Sequence, residues 1–197
     1  HHLVVTYPHA GTSYSQLFKG ENSQCLFEGL SAIFEHVGGA PTVIRFDNMS
    51  TAVSKIRAYG DRKETEAMLR FKCHYGFKSV YCNPASGNEK GSVENAVGYV
   101  RRNLFVPVPT FDNLEEYNKE LLIKCDAELN ETHYRHGVTK SELVKEDKEK
   151  FIPLPGKRFE AVSYTEAKTN NYGIISFEKN RYSTGGSLRK SEVTVKA

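Results

Sequence analysis

Two acidic residues have the type and setting for chemistry. Asp47 follows directly on the apolar run Val43, Ile44 and Phe46 in GGAPTVIRFDNMSTAV, and Glu94 lies 47 residues further on, inside NPASGNEKGSVENAVGYVRRNLF. A carboxylate at the carboxyl end of a buried strand is well placed to hold Mg²⁺. That hard ion keeps several waters and needs only one or two protein oxygens plus a substrate phosphate. On a helix, an advance of ~100° per residue puts Lys90, Glu94, Gly98 and Arg101 on one stripe beside the apolar row Val93, Val97 and Val100. Lys90 and Arg101, with Arg102 and either Lys72 or Lys78 to widen the footprint, could neutralise a sugar-phosphate backbone, and Gly98 would permit its close approach. A plainer reading of the same residues is a Lys90–Glu94 pair on a solvated helix face, worth roughly 0.2–0.5 kcal/mol. Spacing alone leaves the two level.

The elements that must position these residues read as α/β. Residues 3–7 and 13–18 are rich in β-branched and aromatic side chains and are parted by Pro8, Ala10 and Gly11, which predicts a hairpin. Leu26, Leu30, Ile33, Phe34 and Val37 then share one helical face, with Asn22 or Ser23 to cap its start and Gly38-Gly39 to end it. The short strand 43–46 carries Asp47 at its end. A helix over 63–75 with Met68, Leu69 and Phe71 as core, a strand over 78–81 and a third helix through Val93, Ala96 or Val97, Val100 and Leu104 complete the alternation. If strands 43–46 and 78–81 are parallel, the first turn of the third helix lies close to Asp47. A helix over 111–131 follows, then a charged connector with Pro153 and Pro155 and a short helix near 141–146. Residues 159–195 hold short β-rich runs parted by Asn-Asn, Lys-Asn and Gly-Gly, the pattern of a small barrel or meander.

Composition narrows the function classes. A formal charge of +3 over 197 residues makes a weak overall field, so affinity for nucleic acid must come from local clusters of Lys and Arg. Cys25, Cys73, Cys82 and Cys125 form no C-x-x-C pair and read as buried thiols of a reducing compartment, and zinc is not expected. No apolar run approaches the ~18 residues of a membrane span, and no signal segment opens the chain. The histidines show no ligand spacing, although Tyr134, Arg135 and His136 could touch a DNA backbone.

GGAPTVIRFDNMSTAV and NPASGNEKGSVENAVGYVRRNLF resemble the second and third catalytic segments of the IstA-type insertion-sequence transposases, members of the DDE transposase and retroviral integrase superfamily. The likeness extends through GENSQCLFEGLSAIFEHVGG and, more weakly, through FIPLPGKRFE and NRYS. It implies an RNase H-like integrase catalytic core over 1–131, a linker with a short helix over 132–158 and a small β-barrel-like domain over 159–197. By that resemblance Asp47 is the second catalytic Asp and Glu94 the catalytic Glu, both ligands of Mg²⁺ (or Mn²⁺) in a two-metal phosphoryl transfer. Water would first cut at the transposon end, and the freed 3′-hydroxyl would then attack target DNA. Asn48 would orient Asp47 or nearby backbone, and with Lys90, Arg101 and Arg102 it makes up the set expected to meet nucleic acid. Transposon-end and target DNA, a AAA+ ATPase helper and further copies of the chain are the implied partners, in the bacterial cytosol.

The DDE pattern also needs an Asp on the first strand of the fold, and residues 1–46 contain no aspartate. Glu21, Glu28 and Glu35 read as solvated acids of the first helix and its approach. The resemblance therefore implies a fragment that begins at the second strand, has open sheet edges and is inactive alone. The competing reading, from another functional class, is a non-catalytic DNA-binding or assembly module that keeps the integrase fold.

Overall fold

The computed structural model describes residues 1–47, 53–56, 62–82, 87–185 and 187–197, and for 53–56, 62–63 and 87–95 the backbone alone. It divides into two compact units, His1–Phe159 and Glu160–Ala197. Both α and β elements are present, and every sheet among the described residues is two-stranded.

In the first unit, β1 (His2–Tyr7) and β2 (Thr12–Leu17) form an antiparallel hairpin with Val4 opposite Ser15 and Thr6 opposite Ser13. Helix α1 (Ser23–Val37) starts where the Asn22 side chain accepts the Cys25 N–H at 2.8 Å. It stops at Gly38, whose φ of 87° is left-handed and whose N–H donates to the Phe34 carbonyl at 2.9 Å. The apolar stripe of α1 is buried as its spacing predicts. A Cβ on Gly29 would sit 2.7 Å from Leu3 Cδ2, so the missing side chain is what lets the hairpin lie directly on the helix.

β3 (Val43–Phe46) pairs in parallel with β6 (Lys78–Tyr81), as the placement of Asp47 requires. Between them, β4 (Val53–Ile56) and β5 (Arg62–Glu64) form a hairpin, and α2 (Glu66–Tyr75) crosses back over α1. The helix expected from residue 63 begins only at Glu66. Thr65 Oγ1 caps the Met68 N–H at 3.2 Å, and Lys63 belongs to β5. Met68 and Phe71 are buried as expected, but Leu69 is 44% exposed, because it falls on the outer face of α2. The core between α1 and α2 is aromatic. Phe27 stacks on Phe71 with ring centroids 4.6 Å apart, and Phe34, Tyr75, Phe77 and Phe159 close around the same ring.

α3 (Gly87–Leu104) and α4 (Leu114–Asp126) follow. The single helix expected over 111–131 is shorter at both ends. Asn113 Oδ1 caps the Glu115 and Glu116 N–H groups, and after Asp126 the chain tightens into a 3₁₀ turn over Ala127–Asn130. α5 (Lys140–Lys148) opens with a capping box of Thr139 and Glu142. Beyond it, Ile152 and Ala40 exchange backbone bonds of 2.7 and 3.0 Å, and the Phe151 ring meets Tyr7 at 5.7 Å.

The second unit contains β7 (Tyr164–Lys168) paired with β10 (Glu192–Lys196) and β8 (Ile174–Phe177) paired with β9 (Asn180–Ser183), all antiparallel. Among the described residues these hairpins do not close into a barrel. No described helix is long and apolar enough to cross a membrane.

Candidate functional site

Asp47 stands at the end of the β3–β6 ladder. The last bond of that ladder runs from the Cys82 N–H to the Phe46 carbonyl at 3.0 Å, and the Phe46 ring stacks on Tyr81 at 5.7 Å. Phe46 and Cys82 are buried while Asp47 is exposed, so the carboxylate leaves the sheet where apolar packing stops. A hard, exposed carboxylate on a rigid strand end has the donor chemistry of a Mg²⁺ ligand. α3 follows β6 and carries Glu94 on its backbone, but the side chains of Lys90 and Glu94 lie outside the described residues, as does Asn48 altogether. Among the described residues no three His, Cys, Asp or Glu groups converge on a common point.

At the other end of α3, Arg101 and Arg102 are both exposed. Gly98 serves Arg102 itself, since a Cβ there would lie 3.3 Å from Arg102 Nη1. Lys72 does not reach outward. Its Nζ donates to Glu64 Oε2 at 2.6 Å and to Ser79 Oγ at 3.1 Å, so it carries no phosphate footprint. Glu64 also accepts from Ser79 Oγ and from the Tyr81 hydroxyl at 3.0 Å, which ties β5 and α2 to the strand beside Asp47. Burial pushes the Glu64 carboxyl up, but the hydrogen bonds from Lys72, Ser79 and Tyr81 together outweigh it and leave the group below the usual range. Nothing in the spacing of residues 60–70 singles out Glu64 as that hub.

A cleft of about 580 Å³ runs beside Asp47 between β1 and β3, with Leu26 and Leu30 of α1 at its floor and Phe151 at one end. Tyr7 meets Phe151 and Ala40 bridges to Ile152, so the end of β1 and the approach to β3 both reach the Phe151–Ile152 segment. The ladders show which backbone groups face it. His1 and Phe18 exchange bonds of 3.0 and 2.9 Å, so by antiparallel alternation Leu3, Val5 and Tyr7 bond to β2, and His2, Val4 and Thr6 point away. In the parallel pair, the carbonyls of Thr42 and Phe46 accept from Lys78 and Cys82, which leaves Val43 and Arg45 facing away from β6. Strand edges on both sides of the cleft therefore turn polar backbone toward it.

Other expectations are corrected by the packing. Glu28 and Glu35 are not merely solvated, because Arg158 reaches them at 2.8 and 2.7 Å and spans two turns of α1. Their i, i+7 spacing was the available signal. The cysteines are not uniformly buried: Cys82 and Cys125 are, Cys25 is half-buried and Cys73 is exposed. The His136 ring lies 4.7 Å from that of His133, three residues before it, and 5.5 Å from that of His9, which is distant in sequence. His9 is paired with Glu146 at 2.9 Å.

No family model matches the chain. It is 33% identical over 197 residues to a transposase of Aminobacter aminovorans, a match spanning 95% of this chain and 38% of that protein. The transposase for insertion sequence element IS21 of Pseudomonas aeruginosa is 26% identical over 178 residues, covering 89% of this chain and 45% of the relative. The putative transposase for IS5376 of Geobacillus stearothermophilus is 27% identical over 195 residues, covering 98% and 48%. The chain thus spans less than half the length of each of these curated relatives.

Proposed function

The chain is a relative of insertion-sequence transposases, and from that kinship we propose that it forms part of the catalytic portion of one, acting on DNA by cleavage of 3′ ends and strand transfer. The observation that carries the reading is Asp47 at the carboxyl end of a parallel strand pair, followed in sequence by the helix that holds Glu94. Ligands of open α/β sheets gather at that end, because loops and helix starts converge there over a rigid edge.

In this reading Asp47 and Glu94 hold Mg²⁺ or Mn²⁺, which neutralises charge at the scissile phosphate when bound. Asp47 is fixed by the ladder behind it. Arg101 and Arg102, with Lys90 and Asn48, hold the DNA backbone in register. The cleft between β1 and β3 fits an RNase H-like sheet of order β2-β1-strand-β3-β6. An inserted strand running antiparallel to β1 and parallel to β3 would bond to both edges and end near Asp47, where a third carboxylate is required. Lacking that carboxylate, residues 1–197 by themselves are inactive. In the same reading the unit from Glu160 onward is the counterpart of the small β-barrel-like domain, and the partners are a AAA+ ATPase and further copies of the chain in a cytosolic setting.

In an intact transposase containing this chain, Asp47→Asn and Glu94→Gln should each lower magnesium-dependent 3′-end cleavage by about a thousandfold while DNA binding stays within about twofold. Cleavage that survives either substitution would overturn the assignment.

A further inference from the structure

The most exposed run of large apolar side chains belongs to no part of the site described above. Between α3 and α4 the chain reads FVPVPTF, with Val106 69% and Val108 83% exposed and Phe111 42% exposed; on the following helix Ile123 is 66% exposed. A cavity of about 450 Å³ opens here, bounded by the 104–113 segment and the first turns of α4. Its aromatic wall is preformed. Phe111 stacks on the buried Tyr117 with centroids 4.7 Å apart, and Lys124 Nζ, which also lines the cavity, lies 5.2 Å from the centre of the Tyr117 ring.

The rim is acidic. Asp112, Glu116 and Glu120 all line the cavity, and among the described residues none of the three has an ion-pair partner, whereas the neighbouring Glu115 is paired with Lys119 at 2.9 Å. Glu120 is close enough to Tyr117 to raise its hydroxyl pKa, after the larger effect of burial. Three carboxylates against the single Lys124 around a hollow with an aromatic and aliphatic wall disfavour a phosphate backbone, so this face is unsuited to DNA. It instead complements a polypeptide with an apolar anchor flanked by cations, in which desolvated packing supplies affinity and the charged rim supplies approach and selectivity.

We propose that this hollow is a docking site for a basic, apolar-anchored segment of a partner protein. The anchor is a large aliphatic or aromatic side chain set against Phe111 and Val106, and flanking Lys or Arg residues meet Asp112, Glu116 and Glu120. The assignment needs neither Asp47 nor Glu94, so it stands or falls apart from the proposed chemistry.

The test uses the chain as it is, with three probes followed by backbone NMR: the peptide Arg-Lys-Leu-Phe-Lys-Arg, its acidic counterpart Glu-Asp-Leu-Phe-Asp-Glu, and a DNA duplex. The basic peptide should shift the resonances of Val106, Val108, Phe111 and Tyr117 saturably, and its affinity should fall with rising salt. The acidic peptide and the duplex should leave those resonances unmoved. Glu116→Gln with Glu120→Gln should weaken the basic peptide about tenfold, and Val106→Ser should weaken it with the rim intact. All three substitutions are at exposed positions, and an unchanged spectrum elsewhere would verify the fold. Equal binding of the two peptides, indifference to the double substitution, or displacement of the peptide by the duplex would overturn the proposal. So would concentration-dependent shifts of the same residues without any probe, since a second copy of the chain would then be the occupant.

Discussion

The units on either side of residue 159 are held together differently. In His1–Phe159 a cluster of rings around Phe71 is buried, and the strand pair that ends at Asp47 rests on it through Phe77 and Phe46. In Glu160–Ala197 the fully buried side chains are few, chiefly Ile175 and Thr169, and backbone bonding does much of the joining. There Asn170 Oδ1 accepts from the N–H groups of Tyr172 and Ile174, and Ser163 and Ala197 exchange bonds of 2.8 and 3.0 Å. A unit this small buries too little apolar area to be robust by packing alone. The first unit thus rests on buried rings and the second largely on backbone bonds, with all four residues of β9 exposed.

Three perturbations would break or sharpen that contrast. The largest effect is expected from Phe71→Ala, which removes the ring that Phe27, Tyr75, Phe77 and Phe159 pack against and should cost the first unit about 3–5 kcal/mol in urea unfolding. Amide signals of 164–196 should keep their own transition; a common shift of both units would show that they unfold as one. Next, Ile175→Ala should destabilise the second unit by about 2 kcal/mol and leave the first unchanged. A negligible effect would mean that hydrogen bonds alone sustain it.

The smallest effect is expected at Glu64. Its carboxyl is held below the ordinary value of 4.5, so its contribution is complete above that pH and is lost as pH falls through the lower folded value. Glu64→Gln should cost about 1.5 kcal/mol at neutral pH and flatten the acid limb of the first unit's stability curve. If wild type and variant lose stability in parallel below pH 4.5, the Lys72–Glu64 clamp does not brace the strand beside Asp47.

How much of this was legible in the sequence depended on the range of the interaction. The hairpin, α1 with its Asn22 cap and Gly38 stop, and the strand 43–46 follow from local period and local capping, and each is present, although of the strand expected to be buried only Phe46 is, with Val43 52% exposed. Leu69 and the start of α2 were misplaced because a side-chain cap at Thr65 and the turn of the helix decide them, at a resolution below that of apolar spacing. Glu64 and the contact of His9 with His136 were out of reach, since the partners come from distant elements and leave no periodic trace, whereas for Arg158 only the i, i+7 spacing of its two acids was visible and not the arginine that joins them. The position of Asp47 on a strand end was readable from the break in apolar character. The direction of the neighbouring strand was not, and it is the parallel register that puts Asp47 at the shared carboxyl end of both strands.

The central claim is that Asp47 and Glu94 share a divalent ion. Titration of the chain with Mn²⁺, followed by paramagnetic broadening, tests it directly. The account predicts that the resonances of both residues broaden together at the same metal concentration, and that Asp47→Asn removes the broadening at Glu94 as well. Broadening at one residue without the other, or at neither, would contradict it.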